Sequence, residues 1–513
     1  MIATRGVIKP GLEEARRLAA DHNLVALYRS DLADTETPVA AYWRLNGDGP
    51  GFLLESVEGG ERLGRYSFIG GEPLASITMR DGSAEILEGA NRSTRTFDDP
   101  VDLLQEVIES YRQAPPADLP ARFSGGLVGY MAYEAARYFE KLPAVESDPL
   151  DLADAVFFLT DNLVVFDHLL HRRTIISHVR VDGAASVEDA YAAAAERIEA
   201  MAARLDTTEV PPGPEYGSER RTAAAAPKPE VWNTSAAQFE ERVLRCKEYI
   251  LSGDIFQVQV SRRLRIPMTA HPFYLYRVLR TVNPSPYMYY LRLPGHAGER
   301  RRGTAIVGTS PEILVRVEDG AVEYRPIAGT RRRGKDPEHD RRMEEELLGS
   351  EKERAEHLML VDLGRNDVGR FAEVGSVQVP ELFFIEKYSA VMHLVSRVTA
   401  RLAKGRTAFD ALRDCFPAGT VTGAPKIRAM EIITEMEAEN RGVYAGAVGY
   451  VGFSGNLDTC IAIRTAVVKD DYVYLQAAAG VVADSSPDEE LLETENKLAA
   501  LRRAVTLAHE ARL

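Results

Sequence analysis

The chain has 513 residues, of which 45% are hydrophobic and 27% charged, values that fit a globular protein and exclude collagen-like, coiled-coil and wholly disordered chains. Its 62 Lys and Arg residues are outnumbered by 77 Asp and Glu residues, and the net charge of −15 argues against nonspecific nucleic-acid binding, because phosphate contacts need clustered cations. No apolar run approaches the roughly 18–20 residues of a membrane-spanning helix, the first residues have no apolar signal core, and the Cys spacing fits neither a disulfide framework nor a zinc site. We therefore expect a cytoplasmic protein that binds neither membranes nor nucleic acid.

A stretch rich in Pro, Gly and Ala predicts a linker near the middle of the chain. It covers 207–230 and has almost no bulky apolar side chains, a composition typical of linkers. Before it, Ser186 to Leu205 predicts an Ala-rich helix with Ser186 as its N-cap. After it, Ser235 and Gln238 have the spacing of a capping box, and Gly253 is placed to end the helix that they begin. The linker divides the chain into an N-terminal half, 1–206, and a C-terminal half, 231–513.

Runs rich in β-branched and aromatic residues predict strands in both halves. They cover 74–87, 155–181, 287–293, 305–317 and 442–475. The runs follow one another in hairpin-like pairs and do not alternate regularly with helices, which favours antiparallel sheets over a doubly wound parallel sheet. We therefore predict an α+β fold.

Two Glu-x-x-Glu pairs are candidate metal ligands. Glu353 and Glu356 lie in one helix-favouring stretch, Glu490 and Glu493 in another, and residues three apart share a helix face. Mg²⁺ is typically held by one or two carboxylates, waters and an anionic group of a substrate, so two facing helices of this kind would supply a site. From the spacing alone, however, such pairs usually mark solvated helix faces.

Arg464 is a candidate anion-binding residue. In the strand predicted for 458–468, Arg464 shares a face with Cys460, Ala462 and Ala466, whose small side chains indicate space in front of it. Arginine is suited to bidentate recognition of a carboxylate. An edge-strand arginine that reaches solvent is the alternative.

Two strand-like runs carry further polar candidates. His393 lies in an apolar run, where a hydrogen-bonded core histidine and an acid/base group are both open interpretations. Alternation places Gln257, Gln259 and Ser261 on one face, which by itself indicates only an amphipathic strand.

The motifs of the C-terminal half resemble those of the chorismate-utilising enzyme family. They occur in order over most of 235–505, and several are long and specific, namely Gly253-Asp-Ile-Phe-Gln-Val258, Asn283-Pro-Ser-Pro-Tyr-Met288, Ser310-Pro-Glu312, Pro326-Ile-Ala-Gly-Thr-Arg331, Glu356-His-Leu-Met-Leu-Val-Asp-Leu-Gly-Arg-Asn-Asp367, Gly423-Ala-Pro-Lys-Ile-Arg-Ala-Met-Glu431, Gly446-Ala-Val-Gly-Tyr450, Ile463-Arg-Thr465 and Gly480-Val-Val-Ala-Asp-Ser485. The resemblance implies a large antiparallel-sheet sandwich flanked by helices, with the catalytic region in 231–513 and a regulatory region in 1–206.

The resemblance also implies the substrate, chorismate, and the roles of the site residues. Mg²⁺ against the ring carboxylate would have Glu356 and Glu493 as principal ligands and Glu353 and Glu490 as outer partners. The enolpyruvyl carboxylate would be held by Arg464, Tyr444 and the backbone of Ala478, Ala479 and Gly480. Gly329 and Thr330 would line the ring and Thr420 would hydrogen-bond it. His393 would be the acid/base, with Glu312 as its orienting carboxylate.

Two positions indicate which reaction of the family is expected. Members that add water carry a lysine base where this chain has Gln257, and members that make aminodeoxychorismate typically carry lysine where it has Ala328. Ammonia is itself a nucleophile, so both residues fit direct amination of the ring followed by loss of pyruvate and aromatisation to anthranilate. The alternative is the first component of an aminodeoxychorismate synthase. The chain departs from the family pattern at Arg332, where proline is usual, and at Ala478, where glycine is usual.

The resemblance implies a partner and an inhibitor as well. The sequence has no cysteine in the setting of a glutaminase nucleophile, so a separate glutamine amidotransferase subunit is expected to supply ammonia, in a heterotetramer of two copies of each chain. Segments that resemble the inhibitor-binding segments of the family predict feedback inhibition by L-tryptophan at a separate site; the residues expected there are Leu54, Glu55, Ser56, Asn283, Pro286, Tyr287 and Met288.

Overall fold

The structure is a computed structural model that describes residues 6–56, 64–115, 119, 122–145, 147–181, 186–213, 229–295, 303–388 and 391–510. Its helices are α1 Leu12–Leu18, α2 Pro38–Asn46, α3 Pro100–Glu109, α4 Val187–Leu205, α5 Ala236–Leu251, α6 Pro272–Val282, α7 Pro337–Gly349, α8 Glu351–Gly369, α9 Ala408–Cys415, α10 Lys426–Met436 and α11 Pro487–Glu510. Short 3₁₀ turns cover Tyr133–Tyr138 and Gly419–Val421. No helix in these ranges combines the length and the apolar character that crossing a membrane requires.

The strands of the N-terminal half are β1 Leu24–Leu32, β2 Gly51–Glu55, β3 Tyr66–Gly71, β4 Ala75–Arg80, β5 Ser83–Glu88, β6 Asn91–Thr96, β7 Gly126–Met131, β8 Ala155–Thr160, β9 Asn162–Asp167 and β10 Arg172–Arg180. Those of the C-terminal half are β11 Val231–Trp232, β12 Gln257–Pro267, β13 Tyr287–Arg292, β14 Ala305–Ser310, β15 Ile313–Glu318, β16 Ala321–Tyr324, β17 Ile327–Arg332, β18 Gln378–Lys387, β19 Val391–Arg401, β20 Gly423–Ala424, β21 Ala447–Gly452, β22 Leu457–Ile461, β23 Thr465–Lys469 and β24 Tyr472–Val481.

The helix ends follow the predicted capping chemistry. Ser186 accepts a hydrogen bond from the Asp189 amide at 3.0 Å and begins α4. Ser235 and Gln238 form the predicted capping box at the start of α5. That helix ends at Leu251, two residues before Gly253, whose φ of +82° suits glycine best.

The strands form two large antiparallel sheets. The first runs in the order β1-β10-β9-β3-β2-β13-β14-β23-β24-β12-β11, with β20 beside β12. The second runs in the order β17-β19-β16-β15-β22-β21-β7-β8-β4-β5-β6, with β18 beside β19. The predicted α+β fold with antiparallel sheets is therefore confirmed.

Both sheets continue through the two halves of the chain. In the first sheet β2 pairs with β13, where Met288 lies opposite Glu55. In the second sheet β7 pairs with β21, where Gly129 lies opposite Gly449. A Cβ atom on Gly129 would lie 1.9 Å from the Val156 carbonyl oxygen, so the packing there requires glycine. The predicted linker falls largely on 214–228, outside the described residues.

Three hydrophobic cores hold these layers together. One lies between the sheets and joins Phe52 and Tyr289 of the first sheet to Phe158 and Tyr450 of the second. A second packs α2, α4, α6 and α11 on the outer side of the first sheet. A third contains α3 and α9, which pack on the second sheet, and α5 and α10, which pack on β12 of the first sheet. This arrangement is the predicted sandwich flanked by helices.

The expected continuous strand around Arg464 is wrong. Strand β22 ends at Ile461 in the second sheet and β23 begins at Thr465 in the first, so the chain crosses between the sheets at 462–464. Arg464 has a φ of +52°, and its carbonyl accepts from the Thr309 amide at 3.1 Å. A face assignment with period two fails here because the strand is interrupted.

Because the halves share both sheets, we expect that neither half folds alone. Separate expression of 1–213 and 229–513 would expose the edges of β2 and β7 in one piece and of β13 and β21 in the other, and unpaired edges favour aggregation. Size-exclusion chromatography and circular dichroism of each piece provide the test. As a control, cleavage at a protease site inserted in the 207–230 stretch of the full chain is expected to leave both pieces associated. A monomeric, cooperatively unfolding 229–513 piece would contradict the expectation.

Candidate active site

Four glutamates from two helices lie close together. Glu353 and Glu356 lie on α8, which begins where the Ser350 hydroxyl accepts from the Glu353 amide. Glu490 and Glu493 lie in the first two turns of α11. Burial raises the pKa of Glu356, and the negative charges of Glu353 and Glu493 raise it further. Carboxylates of both helices therefore lie near one another; we call these four residues the acidic cluster.

Each carboxylate of the acidic cluster has a donor of its own. Gln257 Nε2 donates to Glu356 Oε1 at 2.8 Å, and Ser485 Oγ donates to Glu490 Oε1 at 2.6 Å. The other two are paired with cations, because Arg331 lies 3.0 Å from Glu353 and Lys497 lies 2.5 Å from Glu493. These donors offset part of the repulsion among the four negative charges.

The chemistry of the acidic cluster fits a hard divalent cation, although its side chains do not converge as they stand. Burial raises the pKa of Glu490, and the charge of Glu493 adds to this. Glu490 Oε2 is buried and has no hydrogen-bond partner among the described residues. Within those residues no three His, Cys, Asp or Glu side chains are arranged to hold a metal ion. Carboxylate oxygens are the ligands that Mg²⁺ prefers, and to bind it Glu353 and Glu493 would have to leave Arg331 and Lys497.

A cationic side of the site lies next to the acidic cluster. The guanidinium of the half-buried Arg464 donates to the Lys497 carbonyl, one turn beyond Glu493 on α11. Burial lowers the pKa of Arg464, whereas the nearby Tyr444 and Glu493 raise it. The Lys497 ammonium also donates to the Ala478 carbonyl at 2.8 Å. Arg464, Tyr444 and Ala478, predicted as one subsite, are therefore brought together.

Strand β12 lies between the acidic cluster and the cationic side, and its residues Gln257 and Gln259 form what we call the floor of the site. Its Gln259 pairs in register with Gly480 of β24. A Cβ atom on Gly480 would lie 2.7 Å from Gln259 Nε2 and 3.0 Å from Gln257 Nε2, so glycine keeps this floor open for both amides. Ala479, the neighbour of Gly480, is buried opposite Val260.

His393 lies on β19 beside β17, the strand that carries Gly329 and Thr330. Its Nδ1 lies 3.2 Å from the Gly329 carbonyl oxygen and 3.0 Å from Thr330 Oγ1. Because a carbonyl only accepts, Nδ1 carries the proton and Nε2 keeps its lone pair. Burial lowers the pKa of His393 to about 4, so the ring is neutral at pH 7. Gly329 has a φ of +59°, and a Cβ atom there would meet Glu353, which places His393 beside the acidic cluster.

The expected pairing of His393 with Glu312 is wrong. The Glu312 carboxyl is buried against Thr420 and the Ile327 amide instead. Burial raises its pKa to about 8, so the carboxyl is protonated at neutral pH, although Thr420, the Ile327 amide and Lys497 each act in the opposite direction. Thr420 Oγ1 makes no hydrogen bond of good geometry to the described residues, and it remains available to a ligand.

Sequence reasoning missed two residues of this site. Lys497 joins Glu493, Ala478 and Arg464, and Gln259 lines the floor beside Gly480. Lys497 follows Glu493 by four residues, a spacing that indicates an ordinary helix ion pair and so gave no sign of a site. Gln259 was visible only as part of a polar strand face.

Apart from the site around the acidic cluster, a cavity lies between the two sheets, at the junction of the halves. Its volume is about 70 Å³. The predicted inhibitor residues in its lining are Leu54, Glu55, Ser56, Pro286, Tyr287 and Met288. The other lining residues are Tyr66, Phe68, Arg122, Tyr289, Arg316, Val448, Gly449, Tyr450, Asp458 and Cys460. The predicted segments from the two halves meet because β2 pairs with β13. We call this the junction cavity.

The polar groups of the junction cavity differ in their availability. Ser56 Oγ is buried and has no partner among the described residues. The Glu55 carboxylate already binds the Tyr276 hydroxyl and Arg280. Asn283 is not part of the lining, because its amide donates to Thr309 Oγ1 at 2.9 Å. Arg316 and Tyr287 both bind Asp458, which makes one wall of the cavity polar.

Comparison with known proteins places the chain in a family. Residues 50–503 match the sequence pattern of the chorismate binding enzymes. Over 507 residues the chain is 43% identical to anthranilate synthase component 1 of Acetivibrio thermocellus, covering 98% of this chain and 99% of that protein. Its fold is similar to the crystal structure of anthranilate synthase component I from Streptococcus pneumoniae TIGR4, with a TM-score of 0.72 and 36% identity over 85% of this chain and 92% of that one. The menaquinone-specific isochorismate synthase MenF of Escherichia coli shares the fold at a TM-score of 0.69 but only 18% identity, over 96% of this chain and 98% of that one.

The environment of His393 predicts how stability depends on pH. Its pKa in the folded chain is about 4, below the ordinary value near 6.5, so the unfolded chain binds a proton between these values that the folded chain does not. His393 therefore lowers stability as the pH falls from about 6.5 towards 4, and His393→Gln is expected to lose less stability over that window than the wild type. Urea unfolding at pH 7 and pH 5 measures the difference, with NMR titration of the imidazole as a direct control. An imidazole that titrates near 6.5 would contradict the burial argument.

Proposed function

Because the chain belongs to the chorismate-binding enzyme family, and within it to the anthranilate synthase component 1 group, we propose that it converts chorismate and ammonia to anthranilate and pyruvate. The observation that carries this proposal is Gln257, which donates to Glu356 of the acidic cluster at the position where a water-adding enzyme would need a lysine base. Ala328 lies on β17 opposite Leu394, the neighbour of His393, and its methyl group cannot act as a nucleophile.

The substrate carboxylates are proposed to divide between the two sides of the site. Arg464 and Tyr444 would hold the enolpyruvyl carboxylate, with backbone groups at 478–480 as further partners. Thr420, with its unpartnered hydroxyl, would hydrogen-bond the ring, and Gly329 and Thr330 would lie along its edge. Lys497 lies between both sides and adds positive charge next to Glu493.

The protonation states of His393 and Glu312 suit the chemical steps. Ammonia attacks the ring as the ring hydroxyl leaves, and Glu312, protonated at pH 7, lies by Thr420 as a proton donor. In the second step the ring carbon that carries the new amino group loses its proton while the bond to the enolpyruvyl oxygen breaks, and the released enolpyruvate takes up a proton to become pyruvate. Nε2 of the neutral His393 is the base available for that proton.

Mg²⁺ is the proposed cofactor, with Glu356 and Glu493 as principal ligands and Glu353 and Glu490 as outer partners. When bound, it would neutralise the ring carboxylate and assist departure of the hydroxyl. Gln257 would hold Glu356 in place, because its amide already donates to that carboxylate.

A second subunit is the proposed source of ammonia. The name component 1 of the relatives implies a component 2, and we propose that it is a glutamine amidotransferase, in a heterotetramer of two copies of each chain. A cytoplasmic location stays a prediction.

L-tryptophan is the proposed feedback inhibitor, bound in the junction cavity. The aromatic and apolar lining suits an indole, and the Ser56 hydroxyl is available for the amino-acid head group. The predicted contact with Asn283 would require that side chain to leave Thr309.

The purified chain with chorismate, Mg²⁺ and ammonium is expected to form anthranilate and pyruvate in equal amounts. Glutamine is expected to replace ammonium only when the partner subunit is present. Product fluorescence and chromatography check the result. Accumulation of aminodeoxychorismate, the product of the nearest alternative, or of isochorismate would overturn the proposal.

Replacing Arg464 by lysine is expected to reduce kcat/KM for chorismate at least about tenfold, since one hydrogen bond to a charged group contributes about 1.5–3 kcal/mol and a lysine cannot form the planar pair. Arg265→Lys serves as the control, because Arg265 lies on β12 with an exposed side chain over Tyr472. Unchanged kinetics in Arg464→Lys would mean that the substrate carboxylate binds elsewhere.

Filling the junction cavity is expected to relieve inhibition and spare turnover. Ser56→Phe would occupy the space next to Tyr287, so the tryptophan concentration for half inhibition should rise at least about tenfold, as expected for the loss of about 1.4 kcal/mol of binding. Ser93→Phe, at an exposed position on β6, is the matched control. Full inhibition of Ser56→Phe would place the inhibitor outside this cavity.

A further inference from the structure

Arg441 is a fully buried arginine in the loop between α10 and β21. Its guanidinium donates to both oxygens of Glu437, at 2.8 and 2.7 Å. It also donates to two backbone carbonyls, Val421 at 2.8 Å and Gln259 at 2.7 Å. Four good hydrogen bonds satisfy the buried charge, which burial alone would make unfavourable.

The two carbonyls belong to segments that carry active-site residues. Val421 directly follows Thr420, and Gln259 lies on the floor beside Gly480. Three residues beyond Arg441 the same loop presents Tyr444, whose ring centre lies 5.8 Å from the guanidinium. One side chain thus joins three separate pieces of the substrate site.

The acidic partners extend the network in two directions. Glu437 Oε1 also accepts from the Ser261 amide at 2.6 Å, which ties it to β12. Glu134, from the N-terminal half, accepts from the amides of Arg441 at 2.7 Å and Gly442 at 3.0 Å. The loop that leads to Tyr444 is therefore anchored by a buried carboxylate of the other half.

A buried ion pair is weak support for a purely stabilising role, because desolvation of both charges offsets much of their attraction. The network instead fixes positions, because the planar guanidinium of Arg441 sets the distance between the two carbonyls that it binds. We propose that Arg441, with Glu437 and Glu134, is a positioning residue that sets the relative placement of Thr420, the Gln257–Gln259 floor and Tyr444. The proposal rests on the proposed function, because the positioned groups are those that would bind chorismate.

Misplacing such groups by about 1 Å can reduce a rate by about 10²-fold. Arg441→Lys keeps the charge and loses the planar guanidinium, so we expect its kcat/KM for chorismate to fall by about that factor, with both a higher KM and a lower kcat. Arg263→Lys is the matched control. Arg263 is also buried and binds Glu439 and the Asn440 carbonyl of the same loop, and its replacement is expected to lower Tm while leaving kcat/KM within about threefold of the wild type.

The double variant Arg441→Met/Glu437→Gln separates positioning from stability. Removing both charges avoids a lone buried charge, so the Tm of the double variant should exceed that of Arg441→Met. Its kcat/KM should stay low, because the Val421 and Gln259 carbonyls still have no guanidinium to bind. Recovery of wild-type kcat/KM in the double variant would overturn the proposal. If Tm does not recover, Arg441→Lys decides, and a loss no larger than that of Arg263→Lys overturns it.

Calorimetric binding of chorismate in the presence of Mg²⁺ keeps this test separate from the proposed function. If the wild type binds chorismate but forms another product, the proposed reaction fails, and weaker binding by Arg441→Lys than by Arg263→Lys still supports positioning. Equal binding by the two variants together with equal turnover would contradict it. A wild type that binds no chorismate would overturn the proposed function and, with it, the substrate site that Arg441 is inferred to position.

Discussion

Mutual repulsion among four carboxylates is the interaction around which the active site is arranged. Glu353 and Glu356 lie on one helix and Glu490 and Glu493 on another. The charges of Glu353 and Glu493 raise the pKa of Glu356, and the charge of Glu493 raises the pKa of Glu490. Donors surround them on all sides, from Gln257 on the floor to Lys497 and Arg331 at the edges. A concentration of negative charge of this kind would be relieved by the proposed divalent cation, and Arg464 and Lys497 place positive charge beside it.

The two sheets explain how the junction cavity and the active site can influence each other. Val448 and Tyr450 of β21 and Cys460 of β22 line the cavity. Strand β21 begins three residues after Tyr444, and β22 ends three residues before Arg464. A ligand that shifts these strands would therefore move both residues that are proposed to hold the enolpyruvyl carboxylate. If the proposed inhibitor weakens chorismate binding, linkage requires that chorismate weaken inhibitor binding by the same factor.

The sequence predicted the local features that depend on neighbouring residues. The capping box at Ser235 and the hairpin-like strands follow from spacing and residue type. Arg464 shows the limit, because a crossing between two sheets depends on packing that no local period reports. His393 shows another limit. Its imidazole meets the Gly329 carbonyl because β17 lies beside β19, and this strand pairing cannot be read from the sequence around His393.

The division of the chain shows the same limit at a larger scale. A linker signal separates the halves in sequence, yet β2–β13 and β7–β21 pair across them. Long-range strand pairing leaves no local trace beyond suitable strands on each side. The contact between Arg441 and Glu134, one from each half, could not be predicted either, because charged residues in a sequence are normally assigned to the surface.

Binding of Mg²⁺ to the purified chain, measured by calorimetry in the presence of chorismate, tests the central role of the acidic cluster most directly. The account predicts that binding is lost in Glu356→Gln and in Glu493→Gln but kept in Glu435→Gln, whose carboxylate accepts from Tyr249 at the surface. It also predicts that both cluster variants stay folded. Undiminished Mg²⁺ binding by Glu356→Gln and Glu493→Gln would show that the acidic cluster is not the metal site.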